Sequence, residues 1–549
     1  MVPTDLGLPA KFGAWRKGQE DTVIAAASSD KRFYLLSMPT GGGKSAVYMG
    51  VSKMLDARAL VLTGTKGLQA QLMADFQSMG LVEVKGQSNY KCIADSESSR
   101  SMVMCNDGSC HSGVECSLRN GGCLYYDAVR KGSKARLVVA NYAYWMTMNR
   151  YSDPEALGKF DLLILDEAHA APEYLAEFCA IEIDRAELHS LLDIELPPIN
   201  EDREVLSDWA LKARAQCVLK YQAAKNRVHE GAKYVKLVRQ LIDLGRRLTE
   251  LANAHKWRRA EPALNDATVA GAATDWLGEE VLDPVTRRPK AVKFSPVWAH
   301  AYAEQYLFKG IPRVLMVSAT LQPKAAKYLG VAPTEMEFSE AASTFDPRRR
   351  PLIHIPTTDV GRNMSDGQVR IWLNKIDAII ESRKDRKGIV HTRSYDRAQL
   401  ILANSRHRAI LMGHGSRNAR DVVAAFKRAS APRVLVSPSM ETGWDFPYDQ
   451  CEYQIIAKIP FLDTRSRVIT ARAKSDKKYL NYMTVLSLIQ TYGRGMRAED
   501  DSCETFIIDD QIDWFRPASR EFWPKWFSAA FTRHPGIPAP MPKQVRRAV

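Results

Sequence analysis

Leu35-Leu36-Ser37-Met38-Pro39-Thr40-Gly41-Gly42-Gly43-Lys44-Ser45 decides the reading of this chain. An apolar run that reads as a strand breaks at Pro39 into a glycine-rich turn, and Lys44-Ser45 opens a segment that reads as a helix. Glycines let backbone N–H groups curl around phosphate oxygens. A lysine at the helix start reaches the β and γ phosphates, and a serine hydroxyl next to it holds Mg²⁺. Pro39, Thr40, Gly41, Gly42, Gly43, Lys44 and Ser45 are therefore the candidate ATP and magnesium loop. Met38 stands where the strict phosphate-loop pattern has glycine.

The complementary half of such a site is an acidic pair at the end of a second strand. Phe160-Asp161-Leu162-Leu163-Ile164-Leu165-Asp166-Glu167-Ala168-His169 supplies it. Asp166 at the strand end suits Mg²⁺ held through water, and Glu167 suits orienting and deprotonating the attacking water. Together the two stretches predict an ATP hydrolase.

Around them, short apolar runs alternate with helical patterns, as in an open parallel α/β sheet covered on both faces. One set of strands is expected at 33–37, 59–62, 137–140, 162–165 and 314–317. A second is expected at 388–391, 434–436, 453–457 and 505–508. The 549 residues allow about three to five domains. Two stretches interrupt the first set. Residues 86–130 are rich in Cys, Gly and Ser, and 172–290 read as mostly helical with long charged amphipathic segments. From 534 the chain has four prolines with Lys543, Arg546 and Arg547, and is expected to be a flexible basic tail.

Composition narrows the partners. Lys plus Arg outnumber Asp plus Glu by 77 to 63, a net charge of +14 that attracts polyanions. No apolar run reaches membrane-spanning length, so no membrane span is expected. Residues 1–19 lack the pattern of a secretory signal. An intracellular setting is then expected, where disulfides are rare. Of nine cysteines, Cys179, Cys217, Cys451 and Cys503 read as small buried apolar residues. The other five, Cys92, Cys105, Cys110, Cys116 and Cys123, are separated by twelve, four, five and six residues. Zinc sites usually present close Cys-x₂₋₄-Cys pairs, whereas single irregularly spaced thiolates suit an iron–sulfur cluster on four of them. Spacing alone leaves both metals open.

The Asp166-Glu167-Ala168-His169 string with the Lys44 loop resembles superfamily 2 helicases, and further stations follow in that order. Arg16-Lys17-Gly18-Gln19 resembles the adenine-sensing glutamine motif, which implies Arg16 and Gln19 as nucleotide contacts. Thr63-Gly64-Thr65-Lys66 resembles the strand-end motif on the nucleic-acid backbone, with Thr63, Thr65 and Lys66 as its members. Ser318-Ala319-Thr320 resembles the motif that couples hydrolysis to strand binding; Ser318, Thr320 and His169 are the coupling candidates. Glu441-Thr442-Gly443-Trp444-Asp445-Phe446 resembles the nucleotide-sensing motif of the second motor domain, with Asp445 as its acid. Gln490-Thr491-Tyr492-Gly493-Arg494-Gly495-Met496-Arg497 resembles the arginine-finger motif. Arginines three apart share a helix face, and a finger is worth on the order of 10³–10⁵ in rate. Gln490, Arg494 and Arg497 thus join Lys44, Asp166 and Glu167 as catalytic candidates.

Gly86-Gln87-Ser88-Asn89-Tyr90-Lys91-Cys92 and Cys123-Leu124-Tyr125-Tyr126-Asp127-Ala128-Val129-Arg130, followed by Val138-Val139-Ala140-Asn141-Tyr142, resemble the ends of the iron–sulfur domain of XPD/DinG helicases. The resemblance implies a 4Fe-4S cluster with Cys92 and Cys123 as outer ligands; zinc is the alternative. It implies an α/β fold with two RecA-like parallel-sheet motor domains. Motor domain 1 would comprise 1–85, 131–171 and 291–340, and motor domain 2 would comprise 341–533. The iron–sulfur insertion would fill 86–130, a helical arch-like insertion 172–290, and the basic tail 534–549.

It further implies an ATP-dependent DNA helicase or translocase on single-stranded and forked DNA, moving 5′→3′, with a single-stranded-DNA-binding protein as a candidate partner. A translocase without unwinding and an RNA helicase are the alternatives. Tyr90, Tyr125, Tyr126 and Trp145 are candidates for stacking on bases. The compact layout resembles DinG-like helicases of phages, which points to the cytoplasm of a bacterial or phage-infected cell.

Overall fold

The computed structural model describes residues 1–99, 101–112, 115–152, 156–199, 203–254, 276–283, 286–343, 346–415, 417–438, 444, 446–495 and 501–543. Two seven-stranded sheets dominate, and every pairing in both is parallel. The first runs in the order Met336–Glu340, Phe33–Ser37, Arg313–Ser318, Leu162–Asp166, Ala59–Thr63, Leu137–Asn141, Leu81–Glu83. The second runs Leu411–Gly413, Arg433–Ser437, Lys387–His391, Tyr453–Ile456, Glu504–Asp509, Leu352–Thr358, Phe531–Arg533.

The expected strands form, because fully apolar runs of four to six residues are stable only where both faces are covered. Phe33 and Leu35 point into one core of the first motor domain, while Tyr34 and Leu36 point into the core on its opposite face. In the second motor domain Leu352 and Ile456 enter one core and Ile353 and Ile455 the other. Sequence patterning missed the strands at 81–83, 336–340, 352–358, 411–413 and 531–533. Most of these lie at or next to a sheet edge, and Met336–Glu340 carries polar residues because its outer side is exposed.

The segment expected to be mostly helical has a mixed core. Two long helices, Arg203–Lys225 and Ala232–Asn253, pack on a three-stranded antiparallel sheet of Ile181–Asp184, Pro289–Pro296 and Trp276–Leu282. Leu241, Leu244, Leu248 and Leu251 recur at three- and four-residue spacing and are buried against Ala210, Ala213 and Cys217. The small partners allow a close approach: a Cβ at Gly245 would lie 3.5 Å from Cys217 Sγ.

Arg58 ties the cysteine-rich insertion to the first motor domain. It donates to the carbonyls of Gly132, Ser133 and Ala135 at the C-terminal end of the helix Leu124–Lys134, and to those of Leu157 and Lys159. The expected loose tail is in fact held from 534 to 543. Ile537 packs on the core of the second motor domain, Arg383 and Arg386 donate to Pro538 and Met541, and Lys543 pairs with Asp385 at 2.6 Å.

Candidate active site

A parallel sheet brings all its C-terminal strand ends to one edge, where ligands bind. Register places Ser37 beside Ser318, and Asp166 beside Val317, so the phosphate loop, the acidic pair and the Ser318 station share that edge. Met38 N–H donates to Ser318 O at 2.9 Å, which anchors the loop's first residue.

The loop's conformation depends on glycine at two positions. Gly41 and Gly43 have φ of 77° and 81°, and a Cβ at Gly43 would stand 2.5 Å from Gln19 Nε2. Gln19 is buried; its amide donates to Gly42 O at 2.8 Å and accepts from Arg16 N–H at 2.9 Å. The Arg16 guanidinium donates to Gly41 O at 2.5 Å. The structure therefore seats Arg16 and Gln19 against the glycine turn. Lys44 and Ser45 open the helix Lys44–Met54 just beyond it.

Lys44 Nζ lies 3.9 Å from Glu167 Oε1. Asp166 is buried, and its carboxylate accepts from Glu167 N–H at 2.9 Å. Burial first, then the charge of Glu167, raises the Asp166 carboxyl above the usual range, while Lys44 opposes the shift. A divalent cation at this place would supply the missing positive charge, so the donor set suits Mg²⁺. Glu167 has φ of 52° and ψ of 40°, a left-handed conformation that costs a non-glycine residue about 1–2 kcal/mol. That turn directs the Glu167 carboxylate toward Lys44 and the Ser318 hydroxyl.

His169 is the hub of a hydrogen-bonded line between the two motor domains. Its Nδ1 is 2.5 Å from Ser318 Oγ and 3.4 Å from Glu167 Oε2. Ser318 Oγ also donates to Glu167 Oε2 at 3.4 Å and accepts from Thr320 N–H at 3.2 Å. On the other side the Gln490 amide contacts His169 Nε2. Burial pushes the His169 pKa down; the Glu167 charge opposes the shift, and the charges of Lys44 and Arg494 add to it. A neutral ring accepts at one nitrogen and donates at the other, and so links Ser318 to Gln490.

Gln490 lies in the last turn of the buried helix Tyr479–Tyr492 of the second motor domain. The turn after it abuts the phosphate loop, since a Cβ at Gly493 would lie 3.4 Å from Thr40 Oγ1. Arg494 is held by donation to Trp444 O at 2.9 Å and by its own carbonyl accepting from Phe446 N–H at 3.1 Å. Arg497 and Asp445 lie outside the described residues.

Thr63 is fully buried and donates to Thr65 O at 3.3 Å; Thr65 Oγ1 caps the helix Lys66–Phe76 by accepting from Leu68 N–H. Thr65 and Lys66 face solvent. Gly64 admits the Tyr174 side chain closely: a Cβ there would stand 2.3 Å from its hydroxyl, so Tyr174 would have to move. The second motor domain repeats this geometry, which sequence reading missed. Thr392 is fully buried and donates to Ser394 O at 3.0 Å, and Ser394 Oγ caps the helix Tyr395–Asn404 by accepting from Arg397 N–H. Arg393 between them has φ of 65°. The signal was present as Thr-x-Thr and Thr-x-Ser, each following an apolar strand and opening a helix.

Trp145 and Tyr125 are core residues and do not serve as stacking platforms. Both are buried, and Trp145 Nε1 donates to Leu307 O at 2.7 Å. Tyr90 and Tyr126 are partly buried and pack on the same core.

The five cysteines of the insertion converge. Cys105 is buried; burial and then the neighbouring Cys123 and Cys92 raise its pKa, and Cys110 is raised by burial and then by Cys116 and Cys123. A Cβ at Gly108 would be 3.5 Å from both Cys92 Sγ and Cys110 Sγ. Asp95 accepts from Ser109 N–H and Oγ and from Cys92 Sγ, and Arg239 of the long helix Ala232–Asn253 donates to Gly108 O at 2.7 Å. Among the described residues no three Cys, His, Asp or Glu close into a metal-holding group. The donor type, cysteine thiols that neighbour one another in pairs, is the one that suits a soft metal center.

Two parallel sheets, with a glycine-rich nucleotide-type loop on one and an arginine-bearing turn from the other beside it, define the class of a two-domain nucleotide-binding protein with its site in the cleft. Comparisons agree with that class. The family model for the type III restriction enzyme res subunit matches residues 14–185, and that for the helicase C-terminal domain matches 378–530. Among solved structures, an XPD helicase is similar at TM-score 0.60 and 13% identity over 94% of this chain and 99% of that one. An apo XPD structure gives 0.59 and 12% over 94% and 100%. Xpd4 of S. tokodaii gives 0.58 and 13% over 94% and 100%. Comparison with curated proteins gives no match. The fold is thus XPD-like, and the two matched family models support a helicase-type ATPase. Among the described residues no helix is long and apolar enough to cross a membrane.

Proposed function

We propose that this chain is a DNA helicase that uses ATP to move 5′→3′ along single-stranded DNA and to open forked duplex. The observation that carries the reading is the line Glu167–Ser318–His169–Gln490. It joins a carboxylate placed to orient water to the face of the opposite motor domain.

In this reading ATP lies in the cleft between the motor domains. Lys44 and the backbone of residues 39–43 hold the β and γ phosphates, Ser45 and Asp166 hold Mg²⁺, and Arg16 and Gln19 report on the base. Glu167 takes a proton from the attacking water. Arg494 and Arg497 meet charge developing on the γ phosphate, so hydrolysis is completed only with the cleft closed. Asp445 senses the nucleotide from the second motor domain. Thr63, Thr65 and Lys66 grip the strand backbone, and Thr392 to Ser394 form the matching grip on the other motor. Alternate tightening of the two turns cleft closure into a step. Grip through phosphates weakens steeply with salt.

Four of Cys92, Cys105, Cys110, Cys116 and Cys123 would hold a 4Fe-4S cluster, which supplies a covalent staple to an insertion with little core of its own. Zinc is the alternative metal. The insertion at 86–130 and the arch-like insertion at 172–290 would frame the strand's path. A cytoplasmic setting and a single-stranded-DNA-binding protein as partner complete the proposal.

Unwinding of forked, 5′-tailed and 3′-tailed duplexes, run beside ATPase stimulation by DNA and by RNA, tests it. Stimulation by DNA with opening of 5′-tailed duplex is expected. Stimulation by RNA alone, or turnover without strand separation, would reject the unwinding of DNA.

A further inference from the structure

The structure holds a cavity of about 240 Å³ where the long-helix insertion meets the first motor domain. We propose that this cavity is a binding site for a nucleobase, with adenine preferred.

Its walls are aromatic. Tyr151 ends the helix Tyr142–Tyr151, Trp276 opens the strand Trp276–Leu282, and Tyr302 and Tyr306 come from the segment before the strand Arg313–Ser318. Tyr302 and Tyr306 stack with an interplanar angle of 2°, and Trp276 meets Tyr302 edge-on at 6.3 Å. The Arg150 guanidinium lies over the Tyr151 and Tyr306 rings at 5.1 and 5.2 Å and pairs with Glu250 at 3.1 Å. Tyr302 and Tyr306 are buried and stack on each other, so the flat surfaces left to a base are those of Tyr151, which is exposed, and Trp276, which is half-buried; stacking is worth about 1–3 kcal/mol per base.

Two side-chain amides also line the cavity, Asn253, which is half-buried, and Gln305, which is exposed at its mouth. Asn and Gln amides read adenine through its N6–H₂ donor and N7 acceptor. Gln305 and Tyr306 sit on a single π-helical turn, Glu304–Phe308. Such turns carry a cost in backbone geometry and recur at functional sites. At about 240 Å³ the cavity falls below the range for drug-sized ligands. A single base fits; a whole stacked dinucleotide does not.

The base could belong to the strand on which the motor moves or to a free nucleoside. The first source rests on the DNA-binding reading above; the second does not. The experiment uses the full chain with ADP saturating the phosphate loop. Adenosine and thymidine binding are measured by equilibrium dialysis. Affinities for an oligo-dA and for an abasic strand of equal length are measured by anisotropy. Gln305→Leu and Asn253→Leu are compared with the parent, with melting temperatures to verify folding; Gln305 is exposed, so its variant is expected to fold.

The expected result is adenosine binding, or a dA-over-abasic preference, that falls at least tenfold in both variants. Loss in the dialysis arm alone identifies a free nucleoside; loss in the strand arm identifies a base of the bound DNA. Trp276→Phe should keep the binding and abolish part of the fluorescence quenching that accompanies it. Equal affinity of parent and both variants in both arms, or no base-dependent binding by the parent, overturns the site. A parent that binds adenosine but no DNA leaves this site standing and removes the DNA reading instead.

Discussion

His169 spans the cleft: its Nδ1 lies 2.5 Å from Ser318 Oγ in the first motor domain, and its Nε2 meets the Gln490 amide of the second. This contact can exist only when the two domains are together, so it should act on turnover more than on nucleotide affinity. Gln490→Ala is expected to lower DNA-stimulated kcat about 10- to 100-fold, each tenfold being about 1.4 kcal/mol, with KM for ATP changed less than about threefold. Because His169 and Gln490 act on one line, the double alanine variant should be little worse than the worse single one. Steady-state ATPase assays of the three variants check this; additive losses would mean that the residues act separately.

Glu167 combines a chemical role with a strained backbone. Glu167→Gln keeps the shape and removes the base, so turnover should fall about 10²- to 10⁴-fold while a fluorescent ATP analogue still binds. Glu167→Gly should be equally inactive yet more stable, by about 1 kcal/mol, because glycine adopts the φ of 52° without penalty. Thermal unfolding distinguishes them: a Glu167→Gly protein that melts below the parent contradicts the strain argument. Lys44→Ala should abolish DNA-stimulated hydrolysis, since no other cation of the loop replaces its reach to the phosphates.

The cysteine set predicts a metal signature. Protein purified without oxygen should be brown and contain iron, and Cys123→Ser should lose the color and the unwinding while keeping most basal ATPase activity. The two motor sheets are built without the cysteines, which is why basal hydrolysis survives. Metal analysis that finds zinc and no iron decides for the alternative.

Acid should destabilize the second motor domain through His391. It is buried, and burial pushes its pKa down to about 4 from an ordinary 6.5. As pH falls below 6.5 the unfolded chain takes up the proton first, so stability present above 6.5 is lost progressively toward pH 4. The loss amounts to about 2 kcal/mol by pH 5. His169, also lowered by burial, acts in the same direction. Urea unfolding at pH 7 and pH 5 measures the difference, and His391→Gln should reduce it.

Arg58 donates to five carbonyls around the return of the cysteine insertion. Arg58→Ala leaves those acceptors short of a donor, and should cost about 2–4 kcal/mol. A loss below 0.5 kcal/mol in chemical denaturation would show that water replaces the guanidinium there.

The sequence by itself determined the motor. Fully apolar strands, a glycine turn before Lys44 and an acidic strand end at Asp166 and Glu167 are local patterns whose physics needs no distant partner. Both parallel sheets could be read from them. The edge strands could not: Met336–Glu340 and Phe531–Arg533 are short, partly polar and stabilized by the sheet they join. Patterning misjudged the tail for a related reason. Four prolines read as loose chain, yet Arg383, Arg386 and Asp385 of the folded domain hold it.

Tertiary structure decided how the motifs meet. Residues 321 apart, His169 and Gln490, face each other only after two separately built sheets pack across one cleft. The Thr392–Ser394 turn carries the same short sequence signal as Thr63–Thr65, and their matching hydrogen bonds made the likeness evident. Local physics places each side chain on its strand end; only the packing of the two domains turns a phosphate loop and an arginine-bearing turn into one site.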